Sequence, residues 1–266
     1  MALLDKFRMD GQVALVTGAG KGIGAGIAEA LAEQGAAVVL SARTAGDLET
    51  VAGRIRDAGG KALVVPADVL ELDKLPGLVD AAFDEYGRLD ILVNNAGGFP
   101  PMPAADTRVD QFEWAMRFNV TTAFELSRIS APRMVETSGS GCILNISSVA
   151  GQYPTPWFSA YGTAKGALSI LTREMAQEYA PKVRVNAIGV GSTKTDALNT
   201  VLNDEIEQTM VDLTPMARLG EVEDIALGAL YLCSPAASYV TGEVLGINGG
   251  MVRLNMEMPR AFGGMG

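Results

Sequence analysis

Tyr161 and Lys165, in the run Tyr161-Gly162-Thr163-Ala164-Lys165, stand four residues apart, a spacing that puts a phenol and an ammonium on one face of a helix. A free tyrosine has a pKa of about 10, so proton exchange near neutrality calls for a value lowered by a few units, at roughly 1.4 kcal/mol each. A neighbouring cation lowers it by stabilising the phenolate. The pair gains weight because the chain has no histidine, which removes the commonest general base and the commonest zinc ligand together. A Ser-His-Asp hydrolase and a histidine-zinc alcohol dehydrogenase are excluded. Taken alone, the same spacing also describes a solvated helix face.

A second group supplies the company that the pair needs. An apolar run ending at Thr17 leads into Gly18-Ala19-Gly20-Lys21-Gly22-Ile23-Gly24 and then into an amphipathic stretch. Glycines between a strand and a helix let backbone approach a pyrophosphate at the helix N-terminus, so the segment reads as a dinucleotide site.

The elements that position these residues follow from hydrophobic patterning. Strands are expected at 13–17, 37–41, 62–66, 91–94, 142–147, 183–188 and 244–247, with helices near 22–34, 46–58, 72–86, 108–136, 158–179 and 221–234. Pro181 marks the end of the fifth helix. The alternation predicts one α/β domain over 1–266, a doubly wound Rossmann sheet of seven parallel strands with helices on both faces. Ligands then lie beyond the carboxyl ends of the strands. The segments 97–103 and 190–215 break the pattern and border a pocket, the second as a substrate loop.

Composition agrees with a globular enzyme. Hydrophobic residues make up 48% and charged residues 20%, enough apolar material for a sizeable core. A net charge of -10 disfavours nucleic acid and anionic membrane surfaces. The first ten residues lack a continuous apolar run and no segment is long enough to span a bilayer, so a cytoplasmic protein is expected. Cys142 and Cys233 read as small buried hydrophobes, with neither a disulfide nor a metal site expected.

The loop spacing Gly18-x-x-x-Gly22-x-Gly24, Asn94-Asn95-Ala96-Gly97 after the fourth strand and Tyr161-x-x-x-Lys165 together resemble the short-chain dehydrogenase/reductase family. The resemblance covers essentially the whole chain, through Gly220 and the segment from Thr241-Gly242 to Gly249-Gly250. It implies a cofactor site of Gly18, Lys21, Gly22, Ile23, Gly24, Asp68 and Val69 beside the adenine, and Asn95, Ala96 and Gly97 beside the ribose. Tyr161 and Lys165 complete that site, the lysine on the nicotinamide ribose hydroxyls. Where the family places an acidic residue that selects NAD, this chain has Ala42, followed by Arg43. With Lys21, two cations would meet a 2′-phosphate that no carboxylate repels, favouring NADP over NAD, although Arg43 could instead merely solvate the loop.

The same resemblance assigns catalysis to Asn119, Ser148, Tyr161 and Lys165, with Ser147 as the fallback serine. Ser148 would hold the substrate oxygen as charge develops on it, and Asn119 would help position water leading to the lysine. After the sixth strand the family usually carries a proline where this chain has Val190, which restores a backbone donor and loosens φ near the expected cofactor contacts Thr193 and Thr195.

Phe99, Met102, Val149, Tyr153, Trp157, Phe158, Leu198, Leu202 and Met210 are expected to line the pocket, which suits a small hydrophobic ketone or secondary alcohol. Within the family the segments 94–103, Thr195-Asp196-Ala197-Leu198 and 232–238 look most like those of bacterial 7α-hydroxysteroid dehydrogenases, which carry the acidic residue that Ala42 replaces. Two other readings stay open: a 3-oxoacyl-[acyl-carrier-protein] reductase, and a catalytically idle NADP-binding redox sensor. The resemblance also implies a homotetramer. The methionine-rich tail 251–266 is expected to pack over the pocket or a neighbouring subunit.

Overall fold

The structure, a computed structural model, describes residues 2–199, 202–256 and 258–260. Residues 200 and 201 of the expected substrate loop, and 257 and 261–266 of the expected tail, lie outside them. The strands are β1 (Val13–Thr17), β2 (Ala37–Ser41), β3 (Lys61–Val64), β4 (Ile91–Asn94), β5 (Gly141–Ser148), β6 (Val183–Val190) and β7 (Val244–Ile247). The helices are α1 (Gly22–Glu33), α2 (Ala45–Asp57), α3 (Leu75–Tyr86), α4 (Val109–Met116), α5 (Thr122–Ser138), α6 (Ser159–Tyr179), α7 (Asp196–Asn199), α8 (Asp204–Asp212) and α9 (Val222–Cys233).

The seven strands form one sheet in the order β3-β2-β1-β4-β5-β6-β7, and every pairing is parallel. Alternate residues of each strand feed two apolar layers. Ala14 and Val16 face α1, α2 and α9 through Ile27, Leu31, Val51 and Ile225. Val13 and Leu15 face the layer with Leu78 of α3, Leu126 of α5 and Met175 of α6. The strand order reverses between β1 and β4, which opens the crevice where such sheets take their ligands.

Three departures from the sequence pattern bear on the site. The single helix expected over 108–136 is interrupted by a π-turn, Arg117–Thr121, between α4 and α5, and Asn119 sits inside it. α8 lies within the segment expected to be irregular, opened by Asn203, whose side chain accepts the Ile206 amide at 2.8 Å. β6 runs on to Val190, pairing with Ser148 on one side and Ile247 on the other. A proline there would remove the amide from that ladder.

α6 is fastened to the middle of the sheet by polar groups. Asn94 Nδ2 donates to Asn145 Oδ1 (2.9 Å) and Ser127 Oγ (3.1 Å), and Asn145 Nδ2 donates to Thr172 Oγ1 (2.9 Å). Two residues along β5, Ser147 Oγ donates to the Lys165 carbonyl (3.0 Å) and lies 2.9 Å from Ser169 Oγ. Asn145 is 1% exposed, so removing its amide strands buried partners. Asn145→Ala is expected to lower unfolding stability by about 1–3 kcal/mol in a urea titration; an unchanged midpoint would show that the ladder adds nothing.

Candidate active site

β5 delivers two serines to opposite faces at its carboxyl end. Ser147 is 2% exposed and turned into α6. Ser148 opens onto the cavity, its Oγ accepting the Ala150 amide at 3.1 Å. Strand alternation thus turns the Ser147 hydroxyl into α6, although Ser147 also lines the cavity, and leaves the Ser148 hydroxyl facing that cavity.

Tyr161 lies in the first turn of α6 and lines the same cavity. One turn on, Lys165 is 4% exposed, and its Nζ donates to the Ile146 carbonyl at 2.8 Å and stands 5.8 Å from the Tyr161 ring centre. Gly97 closes the group: a Cβ built there would fall 2.7 Å from Asn119 Oδ1 and 3.1 Å from Lys165 Nζ. Asn119 itself is 1% exposed. Its Oδ1 accepts the Gly98 amide (2.8 Å), and its Nδ2 donates to the carbonyls of Gly98 (3.0 Å) and Ala115 (2.8 Å). Its side chain therefore clamps the Gly97–Gly98 turn against the π-turn, and its influence on Lys165 passes through that turn.

The electrostatics differ from expectation in one respect. Burial pushes the Tyr161 phenol up, opposed by hydrogen bonding with Ser148. The lowering expected from Lys165 does not emerge, because desolvation dominates. The same desolvation pushes Lys165 down to about 8. At neutral pH the phenol therefore keeps its proton and the ammonium keeps most of its charge.

The glycine loop is shaped as a cradle for a dinucleotide. Gly18 (φ 63°) and Gly22 (φ 54°) adopt backbone that side chains disfavour. A Cβ on Gly24 would strike the Gly18 carbonyl and the Asn95 amide, while Gly22 faces open space up to the methyl of Thr195. Asn95 Nδ2 donates to the carbonyls of Thr17 (3.0 Å) and Gly18 (3.1 Å), and Thr17 Oγ1 accepts the amides of Asn95 (3.0 Å) and Ala96 (3.1 Å). Asn95 and Ala96 thus brace the loop from β4. These residues fit a pyrophosphate approached by bare backbone.

A cavity of about 1200 Å³ runs from Lys21, Gly22, Ile23 and Gly24 past Ser148, Tyr161 and Lys165 to α8. Asn95, Gly97, Thr193 and Thr195 also line it. Gly18, Ala96 and Asn119 stand just behind that lining, while Arg43, Asp68 and Val69 lie at the ends of β2 and β3 beyond it. Arg43 is exposed, Val69 is buried, and Asp68 Oδ1 accepts the Leu70 amide at 3.0 Å.

Two expectations need correction. A carboxylate does stand beside Lys21: Asp47, in the first turn of α2, lies 3.3 Å from Lys21 Nζ. Of the expected pocket residues, Phe99, Val149, Phe158, Leu198 and Met210 line the cavity, but Met102, Tyr153, Trp157 and Leu202 do not. Trp157 Nε1 instead donates to the Pro259 carbonyl (3.0 Å), and the Trp157 carbonyl accepts the Met102 amide (2.8 Å).

The remaining wall comes from Ile206 and Thr209 of α8 and from Leu254, Met256 and Met258 of the tail. Asn255, 1% exposed, ties that tail down. It donates to the Met210 carbonyl (3.0 Å) and Thr214 Oγ1 (2.9 Å), and accepts from Ser192 Oγ (2.5 Å). The acidic first turn after Asn203 was a sequence signal for α8; nothing comparable singled out Asn255 or Asp47.

Residues 18–252 match the protein family described as enoyl-(acyl carrier protein) reductase. The chain is 44% identical to the 7α-hydroxysteroid dehydrogenase of Escherichia coli, over 94% of this chain and 97% of that one. Its fold superimposes on a 7α-hydroxysteroid dehydrogenase complexed with NADH and 7-oxo glycochenodeoxycholic acid with a TM-score of 0.92, 42% identity, and coverage of 96% of this chain and 100% of that one. A gluconate 5-dehydrogenase from Burkholderia cenocepacia in complex with NADP and tartrate gives a TM-score of 0.88 at 34% identity, covering 94% and 98% of the two chains.

Lys165 yields a prediction with a definite sign. Its folded value of about 8 lies below the ordinary lysine value of 10.5, so the unfolded chain binds more protons between the two. The unfavourable contribution is complete below pH 8 and disappears as pH rises towards 10.5. Melting temperature, taken as parent minus Lys165→Met, is expected to climb from pH 8 to pH 10; a flat difference would show that the ammonium is not strained by burial.

Proposed function

The chain belongs to the short-chain dehydrogenase/reductase family, and from that premise we propose that it is an NADP(H)-dependent oxidoreductase interconverting a hydrophobic secondary alcohol and its ketone. The observation that carries this reading is one cavity lined by the glycine loop, Ser148, Tyr161 and Lys165 together. A bound nicotinamide dinucleotide supplies or accepts the hydride at the carbinol carbon. In the reducing direction Tyr161, whose phenol is protonated at neutrality, gives its proton to the substrate oxygen. Ser148 donates a hydrogen bond to that oxygen as negative charge builds there. Lys165 stabilises the phenolate left behind, and Asn119 holds the Gly97–Gly98 turn that packs against the ammonium.

The cofactor set we assign is Gly18, Lys21, Gly22, Ile23, Gly24, Arg43, Asp68, Val69, Asn95, Ala96, Gly97, Thr193 and Thr195, with Tyr161 and Lys165 at the nicotinamide end. NADP is favoured over NAD because Ala42 leaves the end of β2 without an acid while Arg43 and Lys21 stand nearby. The apolar wall of Phe158, Ile206, Met210 and Met256 supports a hydrophobic substrate, and the kinship with hydroxysteroid dehydrogenases makes a hydroxysteroid the first class to try. Asp196 and Glu205 at the cavity disfavour an acidic acyl carrier, and the full catalytic set disfavours an idle sensor.

The unit of function is the whole chain, acting in the cytoplasm as a homotetramer. No helix among the described residues is long and apolar enough to cross a membrane. Phe112, Phe124 and Ile170 on α4, α5 and α6, and Leu227, Tyr239 and Val252, leave apolar side chains exposed that assembly would cover.

NADPH oxidation followed against steroid ketones, aliphatic ketones, oxoacyl thioesters and keto-sugars tests the substrate class; turnover confined to thioesters would overturn it, and silence on all panels would favour the sensor. Tyr161→Phe is expected to lower kcat by roughly two to four orders of magnitude while NADP+ still binds; full turnover would remove Tyr161 from the chemistry. A chain ending at Val252 loses Leu254, Met256 and Met258 from the wall. Its KM for a hydrophobic ketone should rise roughly tenfold or more, since each such contact is worth about 1.5–3 kcal/mol; an unchanged KM would leave the tail without a part in binding.

A further inference from the structure

Asp47 has no place in the chemistry above, yet it stands where the adenosine end of the cofactor would lie. A Cβ built on Gly20 would come 3.1 Å from Asp47 Cβ and 3.7 Å from Ala42 Cβ, so Asp47 and Ala42 flank the same glycine. Ala42 follows β2 at the position where an acid would select NAD. A carboxylate thus reaches the corner after all, from α2 instead of from the end of β2. It is held there by the buried Leu48 next to it and is favoured by the first turn of its helix.

Resting on the NADP(H) reading above, we propose that Asp47 sets the balance between the two dinucleotides. It competes with a 2′-phosphate for Lys21 and offers an acceptor to a 2′-hydroxyl. Lys21 Nζ and Asp47 Oδ2 are 3.3 Å apart, with side chains 62% and 33% exposed. A pair this exposed is weak and opens readily for a stronger partner. Arg43, exposed and adjacent to Ala42, forms no ion pair among the described residues. When a 2′-phosphate enters, Lys21 turns from Asp47 to the phosphate, and the carboxylate repels the incoming charge. When a 2′-hydroxyl enters, Lys21 stays paired and Asp47 accepts the hydroxyl hydrogen. The chain therefore favours NADP less strongly than Ala42 and Arg43 alone would dictate.

Calorimetric titration of the full chain with adenosine 2′,5′-bisphosphate and with AMP, and then with NADP+ and NAD+, reads this balance without any turnover. In Asp47→Asn and Asp47→Ser the bisphosphate should bind more tightly and AMP no more tightly. The ratio of the AMP dissociation constant to that of the bisphosphate should then rise roughly fivefold. A ratio unchanged within error, or one that moves towards AMP, overturns the proposal, as does an equal change in both constants, which would make Asp47 a brace for the loop. The parent's own ratio judges the NADP reading separately. A parent that prefers AMP and NAD+ would end that reading, while the direction of change in the variants would still decide the part played by Asp47.

Discussion

The fastening of α6 along β5 is the constraint on which the site depends, because that helix carries an ammonium into the interior. The strand and the helix run in opposite senses, so inward-facing residues up the strand meet residues down the helix: Asn145 meets Thr172, and Ser147 meets Ser169 and the Lys165 carbonyl. Past the end of the strand the packing becomes backbone on backbone. A Cβ on Gly151 would strike Lys165 and Gly166, and one on Gly162 would fall 2.8 Å from the Ala150 carbonyl. Those glycines let the first turn of α6 lie against the strand end. Tyr161 and Ser148 thereby face one cavity, and Lys165 Nζ is left with the Ile146 carbonyl for company.

That geometry explains the protonation of the site better than attraction between the two charged forms does. Each group is buried, and burial opposes the charged form of each, moving phenol and ammonium in opposite directions. The phenol therefore lies above its ordinary value and the ammonium below its own, so a protonated phenol and an ammonium stand side by side at neutrality. Asn119 contributes by geometry: by clamping Gly98 from inside a π-turn it holds Gly97, whose missing side chain leaves room for Nζ. Such turns widen a helix locally and aim a residue that a regular helix would turn elsewhere.

The parallel strands were legible in the sequence because their signal is local. Four of the seven, β1, β2, β4 and β7, have the bounds read from their apolar runs, since strands buried on both faces admit few polar residues. Glycine spacing likewise marked the loop at the start of α1 where backbone of positive φ packs too closely for added side chains, and the four-residue interval between Tyr161 and Lys165 marked their common face. What escaped was set by tertiary partners. The π-turn leaves no periodic trace over five residues, Asp47 matters through a lysine and a glycine distant in sequence, and Asn255 matters through the end of α8. Trp157 was misplaced for the same reason, its indole being engaged by the Pro259 carbonyl 102 residues away.

The two ends of the cavity are built by different means, and this separates chemistry from selection. At the cofactor end, glycines with bare backbone, the Thr17 hydroxyl and the Asn95 amide lock one another so closely that added atoms collide. At the far end the wall is made of α8 and of Leu254, Met256 and Met258 of the tail, tied down among the described residues by Asn255 and by the hydrogen bond from Trp157 to the Pro259 carbonyl. Met210, Met256 and Met258 give this wall unbranched, flexible side chains, the kind that fill irregular apolar space. On the function proposed above, substitutions in the tail and α8 would retune which alcohol or ketone is accepted, whereas substitutions along the seam between β5 and α6 would alter whether a proton can be moved at all.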